Sequence, residues 1–228
     1  MANTSARERY VQIASDAVLL DADLALPQRP VGLVAFAHGS GSNRHSPRNR
    51  YVAEIMNRAG LGTLLVSQLT VEEEAEDLIT GKLRFDIPLL GRRLTGVVDW
   101  LRANSETAKL KVGIFGASTG AAGALLAAAE RPDVVAAVVS RGGRPDLAMP
   151  VLNRVKAPTL LIVGGDDSPV IGMNQRALAA LQSEKEMVIV PGATHLFEEP
   201  GTLEKVAALA KDWFLKHLAR QEAGSSKP

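Results

Sequence analysis

From residue 31 to residue 218, short apolar runs alternate with stretches of helical periodicity, and this alternation restricts the fold more than any other feature of the chain. Residues 31–37 (VGLVAFA), 62–66, 111–115 (KVGIF), 134–139, 159–163 (TLLIV) and 186–190 read as strands. Near-continuous apolar runs of this length suit strands covered on both faces. Between them, residues 47–59, 84–102, 119–130, 145–155, 174–181 and 203–218 read as helices. The stretch 84–102 places Ile87, Leu90, Leu94, Val97, Val98 and Leu101 on one face, whereas 145–155 is weaker. Ahead of the alternation, residues 10–26 read as two short strands about a turn at Ser15-Asp16. The pattern predicts an α/β fold with a mostly parallel sheet flanked by helices. In such sheets ligands bind beyond the carboxyl ends of the strands. The loops after Ala37, Val66, Phe115, Val139, Val163 and Val190 are therefore where chemistry is expected.

Composition narrows the classes. The 228 residues are 46% apolar and show no repeat of 20–50 residues, which predicts one domain over 1–220 and a polar tail over 221–228. The absence of cysteine excludes thiolate metal sites, iron–sulfur clusters, disulfides and a cysteine nucleophile. Twenty-six basic residues oppose 25 acidic ones, and only 4% of residues are aromatic, so no nucleic-acid partner is expected. Residues 1–10 lack the apolar segment of a secretory signal, and the longest strongly apolar stretch, 121–129, is far short of the ~20 residues that cross a bilayer. The expectation is a cytoplasmic protein with no membrane partner and no metal. The sequence leaves its oligomeric state open.

Gly116-Ala117-Ser118-Thr119-Gly120 is a G-x-S-x-G placed between the KVGIF strand and an alanine-rich helix. A sharp strand-to-helix turn lifts the serine out of the backbone, and the glycines permit close chain approach. The helix N-terminus adds unpaired N–H groups and partial positive charge at the same spot. The plainer alternative is a turn with a helix-capping serine. A serine nucleophile needs a base. Of the four histidines, His195 follows the last strand and is the candidate; His217 sits in the amphipathic final helix, His38 reads as a packed loop-former, and His45 is placed to line the site. Asp167, preferred to Asp166, supplies the carboxylate that orients the imidazole. The oxyanion donors are assigned to the main-chain N–H groups of Thr119 and of Ser40, with Gly39 the alternative to Ser40.

The HGSGS loop, GASTG, GGDDSPV and PGATHLFEEPG resemble the α/β-hydrolase superfamily, and in particular its small, lidless dienelactone hydrolase-like branch. The resemblance spans essentially the whole chain. It implies an eight-stranded α/β-hydrolase sheet with no large cap domain, a Ser118/Asp167/His195 triad and no cofactor. Dienelactone hydrolases of this branch carry a cysteine nucleophile where this chain has Ser118. The expected substrates are therefore small carboxylic esters or lactones, cleaved through an acyl-enzyme. Relatives also often carry an aspartate near the end of the 62–66 strand, where Ser67 and Gln68 stand here. A thioesterase, acyltransferase or C–C hydrolase on the same triad is the nearest alternative, and a non-catalytic binding module the more distant one. Gly39, Arg44, His45 and Arg141 are candidate substrate contacts, and Arg48, Arg50 and Arg144 are cations close to them in sequence. Local ion pairs are the plainer reading of the arginines. The acidic run 72–77 reads as an exposed segment or as a flap over the site.

Overall fold

A computed structural model describes residues 6–219; the tail expected over 221–228 lies outside the described residues. Eight strands form one sheet in the order β1-β2-β4-β3-β5-β6-β7-β8, from β1 (Arg7–Ser15), β2 (Val18–Leu26), β3 (Leu33–Ala37), β4 (Gly62–Val66), β5 (Val112–Ala117), β6 (Val135–Arg141), β7 (Thr159–Gly164) and β8 (Lys185–Val190). β1 pairs antiparallel with β2, and β2 with β4; every other pairing is parallel. Six helices cover the sheet: α1 (Pro47–Arg58), α2 (Val71–Thr80), α3 (Ile87–Ala103), α4 (Thr119–Glu130), α5 (Ser168–Ala180) and α6 (Thr202–Leu218). Among the described residues no helix is long and apolar enough to cross a membrane.

The central strands β3, β4, β5 and β7 are buried at every position, as their unbroken apolar runs require. Apolar side chains collect in two layers. One joins Leu90, Leu94 and Val98 of α3 and Leu125 of α4 to Ile114 and Val138. The other joins Val52 and Met56 of α1 and Trp213 and Phe214 of α6 to Phe36 and Phe115.

Local boundaries differ from the sequence expectation in three places. The first turn is Asp16-Ala17 rather than Ser15-Asp16, both with positive φ, as a two-residue hairpin with the native twist demands. Ser15 stays in β1 because its hydroxyl donates to the Arg93 carbonyl in the interior. The 84–102 helix is divided: residues Leu83–Phe85 form a 3-10 turn, and Asp86 opens α3 by accepting from the Leu89 N–H at 2.9 Å. α5 begins at Ser168, six residues before the expected start, with Pro169 in its first turn. Gly172 and the few buried positions of its first turns hide the helical period there. Residues Pro145–Arg154 form the weak helix as a 3-10 segment.

Candidate active site

Ser118 stands between β5 and α4 with φ 49° and ψ −121°, a conformation rare for any residue with a side chain. The turn is possible because its neighbours are glycines. A Cβ on Gly120 would lie 2.4 Å from the carbonyl oxygens of Ala37 and His38, and one on Gly116 would lie 2.5 Å from Ala121 Cα. Ser118 is the N-cap of α4, yet its side chain makes no capping bond. Its Oγ instead lies 3.3 Å from His195 Nε2. The helix-capping alternative is thereby excluded.

Asp167 repeats the pattern at the start of α5. It occupies the N-cap without capping, and its Oδ2 accepts from His195 Nδ1 at 2.7 Å. That contact puts the proton on Nδ1 and leaves Nε2 free to accept from the serine hydroxyl. Asp166 is an exposed turn residue whose main-chain N–H donates to the Ala193 carbonyl at 3.0 Å. The histidine loop is fixed from within: Phe197 is buried with φ 56°, and Glu199 accepts from the Thr194 N–H at 3.1 Å and from its hydroxyl at 2.6 Å. The role of Glu199 went unread in the sequence, although the HLFEEPG run contains it.

The expected oxyanion donors stand on the loop after β3 and at the first residue of α4. Among the described residues, the main-chain N–H groups of Ser40 and Thr119 find no protein acceptor, and their hydroxyls lie 3.0 Å apart. Behind them, His38 is buried and bonded at both ring nitrogens: Nδ1 to the Gly39 carbonyl at 3.0 Å and Nε2 to the Gln68 N–H at 2.9 Å. Burial pulls its pKa down to about 4. The Gln68 side chain donates to the His38 carbonyl at 2.9 Å. Gln68 thus takes up the position flagged as a departure and uses it to pin the loop.

A cavity of about 200 Å³ opens beside this loop, lined among others by Gly39, Ser40, Thr119, Gln68, Leu69 and Leu78. The acidic run lies on α2, whose Glu74, Asp77 and Leu78 wall the same cavity, so the segment is helical and also flanks the site. Gly39 faces the cavity, whereas Arg44, His45 and Arg141 do not line it. Arg44 lies 3.5 Å from Asp21 and from Asp23 and stacks over Tyr10. His45 is exposed, with its N–H on Asn43 Oδ1. Arg141 is buried against Phe197. His217 packs on Trp213, as its place in α6 suggests. Among the described residues no three His, Asp or Glu side chains gather as a metal-holding group.

The model of the dienelactone hydrolase family matches residues 53–219, which carry the turn at Ser118 and the loops of Asp167 and His195. The chain belongs to the dienelactone hydrolase family. A dienelactone hydrolase from Anabaena variabilis is 59% identical, with a TM-score of 0.93 over 94% of this chain and 99% of that one. Est1E from Butyrivibrio proteoclasticus shares the fold at 17% identity, with a TM-score of 0.75 over 91% of this chain and 98% of that one. Two sequences from Mycobacterium tuberculosis that carry the provisional name phosphoribosyl transferase are 56% identical over 212 residues, 93% of this chain. The chain spans 47% of the length of those curated relatives.

Proposed function

We propose that the protein is a serine hydrolase of carboxylic esters, working through an acyl-enzyme on Ser118. The observation that carries this reading is the single imidazole of His195 bonded to Asp167 on one nitrogen and to Ser118 on the other. His195 takes the serine proton as Oγ attacks the ester carbonyl. The N–H groups of Ser40 and Thr119 receive the developing oxyanion; such a donor typically contributes ~2.7–4 kcal/mol to the transition state. His195 then protonates the departing alcohol, Asp167 stabilises the imidazolium, and water releases the acyl group by the same route.

The order of strands divides the substrate cleft. The oxyanion loop follows β3 and α2 follows β4, so the cavity lies on one side of the nucleophile on β5. Asp167 and His195 follow β7 and β8 on the other. The acyl group accordingly takes the cavity, and the leaving alcohol takes the histidine side, where its proton comes from. Phosphoribosyl transfer, in the name of the Mycobacterium relatives, we assign to the part of those proteins that this chain does not span.

Ser118→Ala is expected to reduce turnover of 4-nitrophenyl acetate to below about 10⁻³ of wild type with an unchanged urea midpoint, while a fluorophosphonate labels only the wild-type serine. Retention of full activity by the variant would overturn the assignment of the nucleophile.

A further inference from the structure

The cavity beside the oxyanion loop carries an unbalanced charge. Apart from His38, three ionisable side chains share its wall: Glu74 and Asp77 of α2, and Arg84 of the 3-10 turn. Asp77 and Arg84 answer each other. Arg84 Nε donates to Asp77 Oδ2 and its Nη2 to the Asp77 carbonyl, both at 2.6 Å. Asp77 Oδ1 accepts from the N–H groups of Leu83 at 2.7 Å and Arg84 at 3.1 Å. Glu74 has no such match. Among the described residues no cation lies within ion-pair distance of it, although Glu73 beside it has Arg93 at 2.7 Å. Glu74 Oε2 accepts one long bond, from Asn43 Nδ2 at 3.4 Å, and its Oε1 is buried with none.

A second acceptor on the same wall is also unanswered. Gln68 is 1% exposed and lines the cavity. Its Nε2 donates to the His38 carbonyl at 2.9 Å, which fixes the amide's orientation and leaves Oε1 buried without a donor. Buried acceptors without donors are uncommon in folded proteins, and one cavity here holds two. Leu69 and Leu90 are buried beside them and lower the local dielectric, which strengthens any charge interaction made there. The terminal torsion of a glutamate is broad, so the Glu74 carboxylate turns toward an incoming donor at little cost.

We propose that Glu74 and Gln68 form a cation subsite in the acyl cavity, so that the preferred substrates are esters of short amino acids, whose acyl group carries an ammonium. The inference rests on the serine-esterase reading above and on its placing of the acyl group in this cavity. An ammonium brings three N–H donors and no acceptor, so one group can bond both Glu74 and Gln68. The bond to Glu74 is charge-assisted, which a neutral hydroxyl cannot equal. Ser40 and Thr119 line the same cavity, so an ester carbonyl held at their N–H groups directs its acyl carbons into it. The volume of about 200 Å³ restricts the acyl group to a short chain.

The test compares benzyl esters at pH 7, where the amines are protonated. Benzyl esters of glycine, β-alanine and 4-aminobutyrate are each set against the uncharged ester of matching length: propionate, butyrate and pentanoate. Benzyl 3-hydroxypropionate supplies a neutral donor, and monobenzyl succinate the opposite charge. Each kcat/KM is divided by the hydroxide-catalysed rate of the same ester, because an ammonium activates its carbonyl through the bonds. We expect this corrected value for at least one ammonium ester to exceed its uncharged match by at least about tenfold. The ratio should fall toward one in Glu74→Gln and in Glu74→Ala, while the succinate, disfavoured by the wild type, gains in both. Because ratios are taken within each variant, partial loss of folded protein cancels, and the isosteric Glu74→Gln carries the test should Glu74→Ala fail to fold. Turnover of the uncharged esters with no ammonium preference, a preference that both substitutions leave intact, or a hydroxypropionate ester that outruns the β-alanine ester overturns the cation subsite alone. A wild-type protein that neither cleaves any of the esters nor reacts with a fluorophosphonate overturns the esterase reading beneath it.

Discussion

Ser118 and Asp167 each stand where a helix begins, and neither caps it. Serine and aspartate are among the preferred N-caps, and capping typically stabilises a helix by ~1 kcal/mol. Both side chains forgo that bond for the His195 ring, so local stability is given up at two positions to assemble one hydrogen-bonded chain. Asp167→Asn should remove the negative charge behind the imidazole and favour the wrong tautomer, lowering kcat on 4-nitrophenyl acetate by about 10⁴-fold while the urea midpoint hardly moves. His38 makes a second prediction at this scale. Buried neutral in the folded chain with a pKa of about 4, it regains an ordinary value near 6.5 on unfolding. Between those values the unfolded chain binds the extra proton, so stability is fully present above about pH 6.5 and falls as the pH drops toward 4. The loss amounts to about 3 kcal/mol at most. Urea titrations across pH 4–7.5 should record it, and His38→Gln should flatten the slope.

At the scale of elements, α2 walls the cavity with few buried contacts of its own. Asp77 is its only buried residue, and Leu78 and Ile79 are exposed. Its hold on the molecule is polar: Thr70 and Glu73 form a reciprocal cap, Glu73 reaches Arg93 at 2.7 Å, and Asp77 accepts from the Leu83 N–H and pairs with Arg84. Thr70→Ala is expected to cost about 1 kcal/mol of local stability, seen as roughly fivefold faster hydrogen exchange at residues 71–85 with the rest of the sheet unaffected. Much of the element order was legible in the sequence because apolar runs and helical periods alternate cleanly, and the meeting of Ser118, Asp167 and His195 was legible because each follows the end of a strand. What the sequence did not disclose depends on contacts between distant residues. The carboxylates that engage Arg44 and Arg50 sit on β1 and β2, more than 20 residues earlier, and no local pattern links them. The early start of α5 was hidden because Gly172 and the few buried positions of its first turns mask the helical period.

Across the whole molecule, two apolar layers clamp the sheet from both faces and hold the loops after β3, β5, β7 and β8 in register at one rim. That clamping sustains the positive φ of Ser118, a conformation whose upkeep is of order 1–3 kcal/mol. Glycine adopts such angles without a side-chain clash. Ser118→Gly should therefore be catalytically dead and yet about 1 kcal/mol harder to unfold in urea than the wild type. A lower midpoint for the glycine variant would mean that the turn is relaxed as it stands. The taut hinge at residue 118 implies that robustness and reactivity pull this chain in opposite directions. Selection for heat tolerance with no demand for turnover should erase the serine early, and an inactive homologue with glycine there would be a sturdier scaffold rather than a damaged one.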